Sequence, residues 1–99
     1  MENFNEIINS ETPTLVDFFA TWCGPCKMME KPLEEVKEEI GEKARVLKVD
    51  VDSNREAAMK YNVRGVPTFI IFKNGEPVWR QSGAMPKKVL LDKINEFSN

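Results

Sequence analysis

Read as a string of apolar and polar positions, the chain switches between two periods. Thr14-Leu15-Val16-Asp17-Phe18-Phe19-Ala20 is nearly continuous in apolar strand formers, the pattern of a central strand covered on both faces. Asp17 is its only charged residue. Met29, Leu33, Val36 and Ile40 then recur at helical spacing, with Glu30, Lys31, Glu34, Glu35, Lys37 and Glu38 between them, and Gly41 closes the run. This predicts an amphipathic helix. Pro32 lies inside it and cannot donate to the Met28 carbonyl, so the helix is expected to bend there without breaking. Residues 45–51, Arg-Val-Leu-Lys-Val-Asp-Val, read as a second strand. A helical crossover between two strands favours a parallel pair, so the second is expected beside the first.

Shorter signals fill the rest. Asn3 is a candidate N-cap for a helix with apolar residues at Phe4, Ile7 and Ile8, ending near Ser10. Ser53-Asn54-Arg55-Glu56 has the form of a capping box opening a helix that runs through Tyr61. Residues 68–72 and 77–82 flank Lys73-Asn74-Gly75-Glu76, and Asn-Gly supplies the positive φ angles of a tight hairpin. Pro77 cannot donate to a ladder, which puts its strand at a sheet edge. Pro86 suits the first turn of a last helix whose buried face is Val89, Leu90, Ile94 and Phe97. The expected architecture is α/β, a four-stranded mixed sheet flanked by helices on both faces, forming one domain over residues 1–99.

Composition narrows the function. The 16 acids and 14 bases are interleaved, so no basic stripe is available to follow a phosphate backbone. No apolar run approaches the ~18 residues of a membrane span, and the first residues lack the pattern of a secretory signal. The expectation is a cytoplasmic protein. Histidine is absent and there are two cysteines, which removes most metal sites and every Ser-His or Cys-His nucleophile. Asp50-x-Asp52-x-Asn54 begins like a calcium loop, but Arg55 stands where that loop needs Gly and Tyr61 where it needs Glu.

What remains is thiol chemistry at Trp22-Cys23-Gly24-Pro25-Cys26, where the apolar strand gives way to the helix. Thiols three positions apart at a helix start fall within the roughly 4.4–6.8 Å Cα separation that a disulfide needs. A structural staple is one alternative. Closing so short a loop constrains the unfolded chain by only about 2 kcal/mol, against ~4.7 for a hundred-residue loop. A metal site is another, but two sulfurs fall short of four ligands, so it would need a second chain or an external thiol. Redox exchange fits best. Cys23 lies at the helix start, where unpaired N–H groups favour a thiolate, and is the expected nucleophile. Cys26, inside the first turn, is the expected resolving thiol. Gly24 and Pro25 form the spacer, and Pro25 limits its flexibility.

The stretch Val16-Asp17-Phe18-Phe19-Ala20-Thr21-Trp22-Cys23-Gly24-Pro25-Cys26-Lys27, together with Val66-Pro67-Thr68, Phe72-Lys73-Asn74-Gly75 and Gly83-Ala84, resembles the thioredoxin family along nearly the whole chain. The resemblance implies a thioredoxin-like fold and a protein-disulfide reductant that a thioredoxin reductase recycles. It implies no cofactor beyond the Cys23–Cys26 disulfide, oxidised proteins as substrates, and a monomer. It also implies that Asp17 exchanges a proton with Cys26, that Lys48 on the neighbouring strand adjusts Asp17, and that Pro67 is cis. Trp22, Gly65, Val66, Gly83 and Ala84 are then the rim that meets substrates, with Lys27 a solvated helix residue. An oxidase or isomerase of the same fold, or a binding module with incidental thiols, are the alternatives.

Four departures from the family pattern stand out. A strand before the first helix is not evident, which leaves residues 46–51 as an exposed edge. Phe19 replaces the first of two tryptophans, the helix proline lies one residue further from Cys26, and Met85 is a poor cap.

Overall fold

A computed structural model describes residues 3–98. Strand β1 (Thr14–Phe19) lies inside a four-stranded sheet of order β2-β1-β3-β4, formed with β2 (Arg45–Asp50), β3 (Thr68–Lys73) and β4 (Glu76–Ser82). β1 runs parallel to β2, with Asp17 opposite Lys48, and antiparallel to β3, with Asp17 opposite Phe69. The sheet is mixed, as the sequence predicts. Each of the first two strands ends one residue early, at Phe19 and Asp50, although the Val51 N–H still donates to the Phe19 carbonyl at 2.9 Å.

Alternation along β1 divides its side chains between two cores. On one face Leu15 joins Phe69 and Ile71 beneath Leu33, Val36 and Ile40 of α3 (Glu30–Ile40) and Leu90 and Ile94 of α5 (Lys87–Phe97). On the other, Val16 and Phe18 join Val49, Ile70 and Phe72. That face is covered by Phe4 and Ile8 of α1 (Phe4–Ile8), Ala57 of α4 (Arg55–Lys60), and Tyr61 just after it. Aromatic edges meet there: the Phe72 ring centroid is 4.9 Å from Tyr61 and 5.8 Å from Phe4, steeply inclined to both. Helices therefore flank both faces.

The Asn3 cap is present, its side-chain oxygen accepting from the Glu6 N–H at 2.9 Å. Asn74 and Gly75 take φ values of 54° and 82°, the paired positive angles of a two-residue hairpin turn. Pro77 sits in edge strand β4 beside a register shift. At the other edge, no described strand pairs with the outer side of β2. Met1 and Glu2, where the question of an extra strand falls, lie outside the described residues.

Four local expectations are corrected. Pro32 does more than bend its helix: α2 (Gly24–Met28) and α3 are separate, divided at Met29. Without an N–H on Pro32 the Met28 carbonyl has no donor four residues on, so the first turn ends there. Met29 itself stays near helical angles and its carbonyl accepts from Leu33 at 2.9 Å. The capping box is not formed, because the N-cap of α4 is Asn54, not Ser53, and the Asn54 amide donates to the Asp50 carbonyl at 3.0 Å. Pro86 is the N-cap of α5, one place before the first turn, with an extended ψ of 145°. Met85, marked as a poor cap, instead enters the core beside Leu90.

Candidate functional site

Cys23 and Cys26 form a disulfide whose Cα atoms are 5.2 Å apart. Cys23 is the N-cap of α2, and its Sγ accepts the Cys26 backbone N–H at 3.1 Å. A sulfur thus occupies the place an Asp or Ser oxygen takes in ordinary capping. A five-residue helix contributes little macrodipole, so the field at Cys23 comes from this one aimed N–H and its neighbours. Both cysteines are only 4% exposed, so burial does not distinguish them. Their hydrogen bonding does. Gly24 and Pro25, between them, are exposed.

The loop before β3 closes against Cys23. The Val66–Pro67 bond is cis, and the Val66 carbonyl oxygen lies 3.6 Å from Cys23 Sγ. Among the described residues the Val66 N–H has no hydrogen-bond partner. Pro67 is buried and its carbonyl accepts from the Gly83 N–H at 2.8 Å, which brings Gly83 and Ala84 beside the loop. Gly83 has φ 96°, a conformation in which a side chain is strained. The Thr68 hydroxyl completes the join, donating to the Gly65 carbonyl at 2.7 Å and bonding with the Ser82 hydroxyl at 2.9 Å. Gly65 and Ala84 are exposed and Val66 is half-buried.

Trp22 is 70% exposed, yet its indole is not loose. Its Nε1–H donates to Asp52 at 2.9 Å. Asp52 is in turn fixed by its own N–H, which donates to the Asp50 carboxylate at 2.9 Å. Sequence reasoning reaches Asp52 only through the calcium-like triplet. The spacing of that triplet signals a tight polar turn, whose side chains here go to the turn's own backbone and to Trp22. No group of three or more His, Cys, Asp or Glu among the described residues is placed to hold a metal.

Asp17 lies deep in β1, 1% exposed, with its Oδ1 unpartnered. Burial pushes its carboxyl from an ordinary 3.8 up to about 6, and the positive charge of Lys48 pulls it part of the way back. Lys48 is exposed, and its Nζ sits 4.6 Å above the centre of the Phe19 ring. A cavity of about 160 Å³ reaches Cys26 past Phe19, Lys27, Glu30 and Lys48. A larger hollow of about 650 Å³, lined by Phe4, Asp52, Arg55 and Tyr61 among others, contains no cysteine. Lys27 is exposed on α2.

A paired Cys-x-x-Cys disulfide capping a helix at the end of a central strand, on a mixed sheet covered on both faces, defines a thiol–disulfide oxidoreductase. The thioredoxin family model matches residues 1–96. The chain is 45% identical over 92 residues to the thioredoxin of Rickettsia typhi, covering 93% of this chain and 88% of that one. It is 46% identical over 87 residues to the thioredoxin of Bacillus subtilis, covering 88% and 84%. Against the chloroplastic thioredoxin Y of Oryza sativa it is 47% identical over 93 residues, spanning 55% of that longer protein. Among solved structures, a mutant thioredoxin from Halobacterium salinarum superposes with a TM-score of 0.87 at 38% identity, covering 96% of this chain and 82% of that one. The chain belongs to the thioredoxin family.

Proposed function

We propose that the protein works as a reductant of protein disulfides, with Cys23 as nucleophile and Cys26 as resolving thiol. The Cys26 N–H aimed at Cys23 Sγ at 3.1 Å carries this reading, because it stabilises a thiolate at Cys23 and not at Cys26. The Cys23 thiolate attacks a substrate disulfide, forming a mixed disulfide and releasing one substrate thiolate. Cys26 loses its proton to Asp17 and attacks Cys23 Sγ. The second substrate thiolate leaves, and the Cys23–Cys26 disulfide closes with two electrons passed to the substrate.

Asp17 suits the proton step because its carboxyl titrates near 6, close enough to neutrality to accept and return a proton. Lys48 adjusts it from the neighbouring strand. An extended substrate segment pairs with the backbone of Val66, whose N–H has no partner among the described residues, while Trp22, Gly24, Pro25, Gly65, Pro67, Gly83 and Ala84 form the docking rim. No cofactor beyond the disulfide is required. A thioredoxin reductase returns the electrons, and the protein acts as a monomer in a reducing compartment, the cytoplasm.

Equilibration with thiol buffers tests the direction of transfer. A potential well below that of protein disulfide isomerase, about −180 mV, is expected; one at or above it makes the protein an oxidant or isomerase. Cys26→Ser is expected to trap protein substrates on Cys23, and failure to trap any overturns the assignment of the nucleophile.

A further inference from the structure

Leu15, Asp17 and Phe19 alternate onto one face of β1, and the pairing of Asp17 with Lys48 puts Val46, Lys48 and Asp50 on the same face of β2. Phe19 therefore lies two residues beyond Asp17 on the side that carries the site. Its ring touches three things at once. It packs against the cluster of Ala20, Cys23 and Cys26, it lines the cavity that reaches Cys26, and its face holds the Lys48 ammonium at 4.6 Å. Among the described residues Lys48 has no ion pair within 4.0 Å. A lysine head on a flexible four-carbon stem at a sheet edge otherwise samples many positions.

We propose that Phe19 is a positioning residue: the negative face of its ring fixes the Lys48 ammonium at the cavity beside Cys26, so that its charge acts on Asp17 from one place. The proposal rests on the roles read above for Asp17 and Lys48. Other charges face the same region and set the background against which Lys48 acts. They are Asp50 on β2, Lys27 on α2, and Glu30, Glu34 and Lys37 on α3, the last three lining cavities that Lys48 also lines. All are exposed or half-buried, whereas Phe19 meets Lys48 at the ring face.

The test is the titration of the Asp17 carboxyl by carbon NMR in the oxidised protein, where the disulfide cysteines do not titrate. Phe19→Leu keeps an apolar filling and removes the aromatic face. Its expected effect is a rise of the Asp17 midpoint by up to about 0.5 pH unit. Phe19→Trp strengthens the attraction and is expected to lower the midpoint. In a Lys48→Gln background neither substitution is expected to move it further. A Phe19→Leu shift that persists undiminished without Lys48, or Leu and Trp shifts of the same sign, overturns the proposal, since a merely structural ring acts independently of Lys48. An unchanged Asp17→Asn exchange rate instead refutes the role of Asp17 and leaves this titration readable.

Discussion

Both faces of the sheet are largely apolar, and the buried carboxyl of Asp17 lies on one of them. Beneath α1 and α4, Val16, Phe18, Ile70 and Phe72 pack with Phe4 and Tyr61 and no buried charge interrupts them. Beneath α3 and α5, Leu15, Phe69 and Ile71 pack just as tightly, but Asp17 stands among them with one oxygen unpartnered. Among the described residues the first face buries only uncharged groups, Thr14 and Thr68 among its polar ones, and chiefly supplies stability. The second gives some up, because a carboxyl raised from 3.8 to about 6 by burial costs about 3 kcal/mol when ionised. Asp17 shares its face of the sheet with Phe19 and Lys48, whose ring and ammonium line the cavity that reaches Cys26.

The largest expected effect is at the disulfide itself. Cys23→Ser is expected to abolish disulfide exchange while circular dichroism shows the fold intact; residual turnover above the buffer rate argues that Cys23 is not the attacking group. Next in size is the apolar face. Phe72→Ala should destabilise by about 3–5 kcal/mol in denaturant unfolding. Exchange per folded molecule, measured well below the transition, should stay within about twofold. A large loss of exchange at unchanged stability argues against the division of labour.

Asp17→Asn is the counterpart on the other face and should act with the opposite sign. The folded state holds the Asp17 proton up to about pH 6 whereas the unfolded chain releases it near 3.8, so wild-type stability falls as pH rises through that window and is flat above it. The variant lacks this loss. It is expected to be more stable by up to about 3 kcal/mol at pH 7–8 and equal to wild type below pH 3.8, as measured by denaturant unfolding across pH. A destabilised variant at neutral pH contradicts the buried-acid reading. The smallest effect is at the rim. Asp52→Ala frees the Trp22 indole at a cost of about 1 kcal/mol, read as a several-fold rise in KM for a disulfide substrate with kcat little changed.

Much of this is legible in the chain because its signals are local. The apolar run at residues 14–20, the Asn74-Gly75 turn and the proline in β4 each act over a few residues, and the fold keeps them where they fall. Cys23 and Cys26 are adjacent by spacing alone. Less legible are features decided by tertiary partners. Asn54 takes the cap from Ser53 because its amide is bound to the Asp50 carbonyl. Met85 is buried because it joins the cluster of Leu15, Phe69, Leu90 and Ile94. Asp52 is a partner of Trp22 through a hydrogen bond spanning 30 positions, which no periodicity reveals. The break at Met29 is within reach: a missing donor on Pro32 implies it, but whether a helix bends or divides depends on how its two halves pack.

The proposed mechanism has Asp17 take the proton of Cys26 as the mixed disulfide is resolved. Its direct test is the release rate of a disulfide-linked peptide from Cys23, followed from about pH 5 to about pH 8 in wild type and Asp17→Asn. Wild type is expected to show an inflection near pH 6 as the carboxyl becomes able to accept a proton, and the variant to lose both that inflection and on the order of 10²-fold in rate. Superimposable profiles would contradict it.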